Sequence, residues 1–149
     1  MSNPAHVTNT FQFDVRAPLS RAATLFGPEG EKCWAGPRWN PKFLHPQPGA
    51  DIQGAVFTVG DGAHKSIWIN TQFDMVAGRM QYAAFIPGKV VSKVDVRLTP
   101  LNPSSTRVEV TYARTALDAG ANEEVEAMGA KDLQSGPEWE QAIEECLSR

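Results

Sequence analysis

The stretch Ser135 to Leu147, SGPEWEQAIEECL, limits the architecture more than any other. Trp139, Ala142, Ile143, Cys146 and Leu147 recur at helical spacing on one side, while Glu138, Glu140, Gln141, Glu144 and Glu145 take the other. Ser135 reads as an N-cap with Glu138 completing a capping box, and Pro137 falls in the first turn, where a missing N–H costs nothing. A helix with one apolar stripe headed by a tryptophan needs a surface to cover it. Most of what lies upstream is strand-like, so the simplest arrangement is a sheet curved around this helix. Such a concavity need not be filled by the helix, and the unfilled part would be a pocket.

The upstream pattern is consistent with that. Val7, Phe11, Phe13 and Val15 alternate with polar residues, the mark of a half-buried strand. Leu19, Ala22, Ala23 and Phe26 form a compact helical face that Gly27-Pro28 ends, and a second short helix is expected from Pro28 to about Trp34. Residues 38–54 are Pro-rich and read as a loop packed through Trp39, Phe43 and Leu44. Five strands follow at 55–59, 66–75, 79–86, 89–99 and 106–115, joined by turns as tight as Gly60-Asp61-Gly62 and Pro87-Gly88, so neighbours run antiparallel. In the second of these, Ile67, Ile69, Thr71, Phe73 and Met75 are expected to share a face, which places Trp68 outside with Asn70 and Gln72. Residues 122–133 are acidic with a weak apolar face interrupted by Gly129, a short helix or a lead-in to the last one. The order belongs to the α+β class, read as one domain over 1–149.

The totals exclude several functions. A formal charge of −3 over 149 residues argues against nucleic acid or an anionic membrane as partner. No apolar run reaches the roughly 18 residues of a membrane-spanning helix, and the first residues lack the pattern of a signal peptide, so a cytoplasmic protein without membrane insertion is expected. Cys33 and Cys146 have no metal-ligand spacing and read as reduced, buried thiols. His6, His45 and His64 share no ligand spacing either, so no metal site is expected. No phosphate-binding loop, dinucleotide fingerprint or serine nucleophile elbow is present, and no cofactor is expected.

The element order, together with Phe26-Gly27-Pro28-Glu29-Gly30-Glu31, Trp34, Trp39, Gly54-Ala55-Val56-Phe57, Pro87-Gly88, Val108-Glu109-Val110-Thr111-Tyr112, Thr115-Ala116-Leu117 and Trp139, resembles the START-related superfamily called SRPBCC, in its polyketide-cyclase and chaperone-ATPase-activator-like branch. The resemblance covers nearly the whole chain. It implies a helix-grip fold: about six curved antiparallel strands around a C-terminal helix, with two short helices after the first strand. Ligands and activities in this superfamily vary widely, and no catalytic signature carries over residue by residue.

Trp34, Trp39, Phe57, Tyr82, Tyr112 and Trp139 are the candidate ligand-binding residues. Each would more often fill core when taken alone, but as a set in a concave fold they suit an apolar or amphipathic ligand. Glu31 and His64 are the candidate polar groups of that pocket. The commoner role for Glu31 is a helix-dipole or salt-bridging residue, and for His64, near Asp61, a solvated turn. The first function expected is binding of a small apolar or amphipathic molecule between sheet and helix. The alternatives are a polyketide cyclase or dehydratase-like enzyme using acid–base residues of the same cavity, and a chaperone-associated protein-binding domain. A homodimer is left open.

Overall fold

The computed structural model describes residues 3–149. Seven antiparallel strands form one curved sheet: β1 (His6–Val15), β2 (Lys42–His45), β3 (Val56–Val59), β4 (Ser66–Asp74), β5 (Arg79–Ile86), β6 (Val90–Asn102) and β7 (Ser105–Ala116), in the order β1-β7-β6-β5-β4-β3-β2. The helices are α1 (Leu19–Ala22), α2 (Asn122–Asp132) and α3 (Ser135–Leu147), with short 3₁₀ turns at Ala23–Leu25 and Gly30–Cys33. The strand count exceeds the expected six because Lys42–His45, inside the Pro-rich loop, pairs with β3.

Alternation along the strands builds the concave face. Phe11, Phe13 and Val15 of β1 are buried, and so are Val94, Val96 and Leu98 of β6 and Val108 and Val110 of β7. The register aligns these into rows across the sheet. One row runs Asn70–Tyr82–Val94–Tyr112–Asn9, and the next runs Trp68–Ala84–Ser92–Arg114–Val7.

Strand β4 departs from the expectation. Its pairing with β5 shifts between Asn70 and Gln72, which leaves Thr71 as an extra, exposed residue. A bulge of this kind reverses the parity of everything beyond it. Trp68 and Asn70 therefore face the concave side, not the outside, while Phe73, of opposite parity, still packs against the core. Assigning one parity to the whole strand was the error.

Asn122–Asp132 form a helix of their own. The chain breaks at Leu133-Gln134 before α3 starts, because Pro137 has no N–H to offer the carbonyl of Leu133. Ser135 is the first residue of α3 and not its cap; its hydroxyl donates to the Lys131 carbonyl at 3.0 Å, and the expected capping box does not form. The glycines that weaken the sequence pattern have a packing reason. A Cβ on Gly129 would come within 2.8 Å of Val7 Cγ2 and 3.1 Å of Asn9 Nδ2, and one on Gly136 within 3.3 Å of the Gln12 carbonyl. Their missing side chains let α2 and α3 lie directly on β1.

Cys33 and Cys146 form a disulfide with Cα atoms 5.7 Å apart. This corrects the reading of two reduced thiols. A separation of 113 residues hid the fact that the 3₁₀ turn Gly30–Cys33 docks beside the last turns of α3.

Candidate functional site

Between the concave face, the segment Phe26–Trp39 and the C-terminal helices lies a cavity of about 340 Å³. The strands explain why space remains there. Ala84 and Ser92 sit side by side in the middle of the concave face, flanked by Trp68 and Arg114. Two small side chains at the centre of a row of large ones make a hollow, and Met128 of α2 with Trp139 and Ala142 of α3 close one side of it.

The walls are two aromatic clusters. In one, Trp39 meets Trp68 at 5.5 Å and Phe57 at 6.2 Å, and Trp68 meets Phe57 at 5.9 Å and Tyr82 at 6.3 Å between ring centroids. In the other, Trp139 lies 5.0 Å from both Trp34 and Phe11 and 6.4 Å from Tyr112. These are edge-on, tilted and offset contacts of the kind aromatic rings prefer. Two indoles are fixed by local carbonyls: Trp34 Nε1 donates to Leu25 O at 2.7 Å and Trp39 Nε1 to Pro28 O at 2.9 Å. With their polar edges satisfied, their apolar faces can line the cavity.

All six aromatics expected from the sequence, Trp34, Trp39, Phe57, Tyr82, Tyr112 and Trp139, line this one cavity, and Glu31 does too. The α3 stripe faces the concave side, and Trp139 finds its ring partners in Phe11, Phe13, Trp34 and Tyr112. His64 is the exception among the candidates. It lies exposed in the turn between β3 and β4, outside the cavity lining, because a tight hairpin puts its tip beyond the edge of the concavity. Among the described residues, no group of three or more His, Cys, Asp or Glu side chains is placed to hold a metal ion.

The polar groups of the cavity are few. Glu31 Oε2 accepts from the Gly27 N–H at 3.0 Å. Gly27 has φ +118°, and a Cβ there would collide with the Asp51 carboxylate, so only glycine can present that N–H here. Burial pushes the Glu31 carboxyl up to about 8, the Gly27 bond partly offsetting this and the nearby Asp51 charge adding to it. Glu31 is thus mostly protonated at neutral pH. Asp51 is itself held in place by the Glu29 and Gly30 N–H groups, at 2.7 and 2.9 Å. Burial, then the negative charges of Glu31 and Asp51, hold the Tyr82 phenol well above its usual range. The buried Tyr82 hydroxyl has no hydrogen-bond partner among the described residues.

Sequence reasoning missed Arg114. Its guanidinium lies 4.2 Å from the centroid of the Tyr112 ring, donates to Asp132 through Nε at 2.7 Å and Nη2 at 2.8 Å, and donates to Ser92 Oγ at 3.0 Å through Nη1. This buried ion pair ties the end of α2 to β7 at the cavity wall. The signal was present: Arg114 is a cation on the apolar parity of β7, in phase with Val108, Val110 and Tyr112.

No family model matches the chain, and no curated protein matches its sequence. Solved structures do match its shape. Norcoclaurine synthase from Thalictrum flavum, in complex with dopamine and hydroxybenzaldehyde, superposes with a TM-score of 0.66 at 12% identity over 97% of this chain and 88% of the other. Ara h 8.0201 superposes with a TM-score of 0.71 at 12% identity, over 97% of this chain and all of that one (100%). The fold is the helix-grip fold. A Thermobifida fusca protein known from its solution structure shares this helix-grip fold at 18% identity, with a TM-score of 0.63 over 86% of this chain and 85% of that one. At such identities the likeness is one of architecture.

Proposed function

We propose that this helix-grip protein binds a small apolar or amphipathic molecule in the cavity between sheet and C-terminal helices, with Trp34, Trp39, Phe57, Tyr82, Tyr112 and Trp139 as its contacts. The observation that carries this reading is a preformed, aromatic-lined hollow of about 340 Å³ whose few polar groups are fixed in place. Ligand sites are typically concave and mostly apolar with a few placed polar groups. Binding energy here comes from burying the ligand's apolar surface, at about 25 cal/mol per Å². Titration with an environment-sensitive naphthalene dye tests it. Saturable binding that Ala84→Phe abolishes is expected; a dye that binds equally well after the hollow is filled would overturn the reading.

A second reading is acid–base catalysis of the polyketide cyclase or dehydratase type in the same cavity. What favours it is a protonated Glu31 in the same cavity as the unpaired Tyr82 hydroxyl. A neutral carboxylic acid can give a proton, and its conjugate base can take one. Conversion of a poly-β-keto thioester, monitored by mass, tests it. Glu31→Gln and Tyr82→Phe should each abolish conversion while dye binding stays intact.

We place the protein's action in the cytoplasm with a small molecule, not nucleic acid, as partner. The Cys33–Cys146 disulfide argues the other way, since cytosolic thiols are normally kept reduced. Cell fractionation with thiol trapping decides between them.

A further inference from the structure

We propose that the Cys33–Cys146 disulfide is a redox latch on the cavity: oxidised, it clamps residues 30–39 against α3 as one wall, and its reduction by a dithiol frees that wall to open and lets ligand exchange. The proposal rests on the ligand-binding reading of the cavity and adds its regulation. Glu31, Trp34, Ala35 and Trp39 of this segment all line the cavity. Little else fastens the segment. Its backbone N–H groups bond to carbonyls of Gly27, Glu29, Glu31 and Gly36, all local, and the two indoles donate to Leu25 and Pro28 in the same stretch of chain. Among the described residues, no backbone–backbone hydrogen bond joins residues 31–39 to a strand or to α3. The segment is carried across to the C-terminal helix by the disulfide, by an exposed hydrogen bond from Arg149 Nη1 to the Cys33 carbonyl at 3.1 Å, and by the Trp34–Trp139 ring contact at 5.0 Å. Trp139 and Cys146 lie about two helical turns apart on one face of α3. The neighbours Cys33 and Trp34 are therefore pinned to that face, one by a covalent bond and one by packing. Without the bond, the packing contact stands in equilibrium with locally opened states.

The bond is placed to be reached. Cys33 is exposed, whereas Cys146 is buried. A thiolate of the reductant attacks Cys33 Sγ, the S–S bond breaks with its electron pair on Cys146 Sγ, and that sulfur takes up a proton. The second thiol of the reductant then displaces Cys33 as a thiolate, which is protonated in turn, and the reductant closes its own disulfide. Two electrons and two protons pass from the dithiol to the cysteine pair, and exchange with an oxidised dithiol reverses the step. Thiols are held reduced in the cytosol and oxidised outside it, so the latch would hold cargo in one setting and exchange it in the other.

Stopped-flow mixing of the full chain with an environment-sensitive naphthalene dye tests this, with thiol trapping to report the state of the cysteines. Dithiothreitol should speed both uptake and release of the dye by about 10-fold, leaving the affinity nearly unchanged, and reoxidation should restore the slow rates. Cys33→Ser with Cys146→Ser should be fast with or without reductant. Equal rates in the oxidised and reduced forms would overturn the latch while leaving ligand binding standing. Faster release with unchanged uptake would also overturn it, since the bond would then shape the wall and not its opening. So would a bond that dithiothreitol leaves intact in the folded protein, or a reduced form that loses its near-ultraviolet circular dichroism, which would make the cross-link purely structural. Dye bound by neither form would remove the ligand-binding reading itself.

Discussion

The two aromatic clusters differ in what stands opposite them. Phe11, Phe13, Tyr112 and Trp139 meet where α3 lies on β1, and there the chain is tight: Phe11 and Phe13 are buried, and Gly136 brings the helix backbone onto the Gln12 carbonyl. Phe57 and Trp68, the latter against Tyr82, are instead capped by Trp39, which comes from the irregular segment after the 3₁₀ turn. Small residues occur in both regions and act in opposite ways. Under the helices, Gly129 and Gly136 draw two backbones together. Facing the cavity, Ala84 and Ser92 have no backbone drawn down on them and leave a hollow. A small side chain makes contact or cavity according to what packs above it.

The disulfide joins the two regions, since Cys33 belongs to the segment over the hollow and Cys146 to α3. Its removal should have the largest effect. A cross-link spanning 113 residues restricts the unfolded chain strongly, and Cys33→Ser with Cys146→Ser should cost about 3–5 kcal/mol in urea denaturation. An unchanged midpoint would mean that the two regions are held together without it.

A pair of substitutions to phenylalanine tests the contrast directly. Val110 is fully buried beneath the helix-covered side, and Val110→Phe should cost about 1–3 kcal/mol through overpacking. Ala84→Phe adds a larger group facing the hollow and should change stability by less than about 1 kcal/mol while abolishing dye binding. If both variants lose the same stability, the hollow is as tightly packed as the core and the comparison collapses.

How much of this was legible follows the same division. Regular alternation in β1, β6 and β7 and the α3 stripe are repeated signals, so the sheet, its concave side, Tyr112 and Trp139 could be read in advance, whereas Trp34 and Trp39 lie in segments without a period and stood out only as aromatics. What escaped depended on single residues or on distant pairs. Thr71 reversed β4 and brought Trp68 inward. The sequence leaves open whether residues 122–133 run on into the last helix, and the break at Leu133-Gln134 decides it. The Cys33–Cys146 and Arg114–Asp132 contacts belong to no local pattern. Glu31 was visible as a candidate, but its protonation depends on burial by elements far away in the chain.

That protonation yields an effect visible only as pH changes. Glu31 is half-buried, with Asp51, Tyr82 and Tyr112 around it; Glu29 and Lys32 stand behind Asp51, and Arg114 lies against Tyr112. In the unfolded chain its carboxyl titrates at about 4.5, and in the fold at about 8. Between these values the folded state holds a proton that the unfolded state has released, so this group's contribution makes stability fall as pH rises, and above about 8 the loss is complete. Glu31→Gln keeps an acceptor for the Gly27 N–H and removes the titration. The variant should match the unaltered protein near pH 4.5 and exceed it by about 1–3 kcal/mol at pH 8.5, a fraction of the full linkage because the cavity admits solvent. The difference between the two denaturation profiles cancels the other carboxylates, which titrate in both. A difference that stays flat from pH 4.5 to 8.5 would mean that Glu31 is solvated as freely as a surface residue, and the hollow would then be wet and open at its Glu31 end.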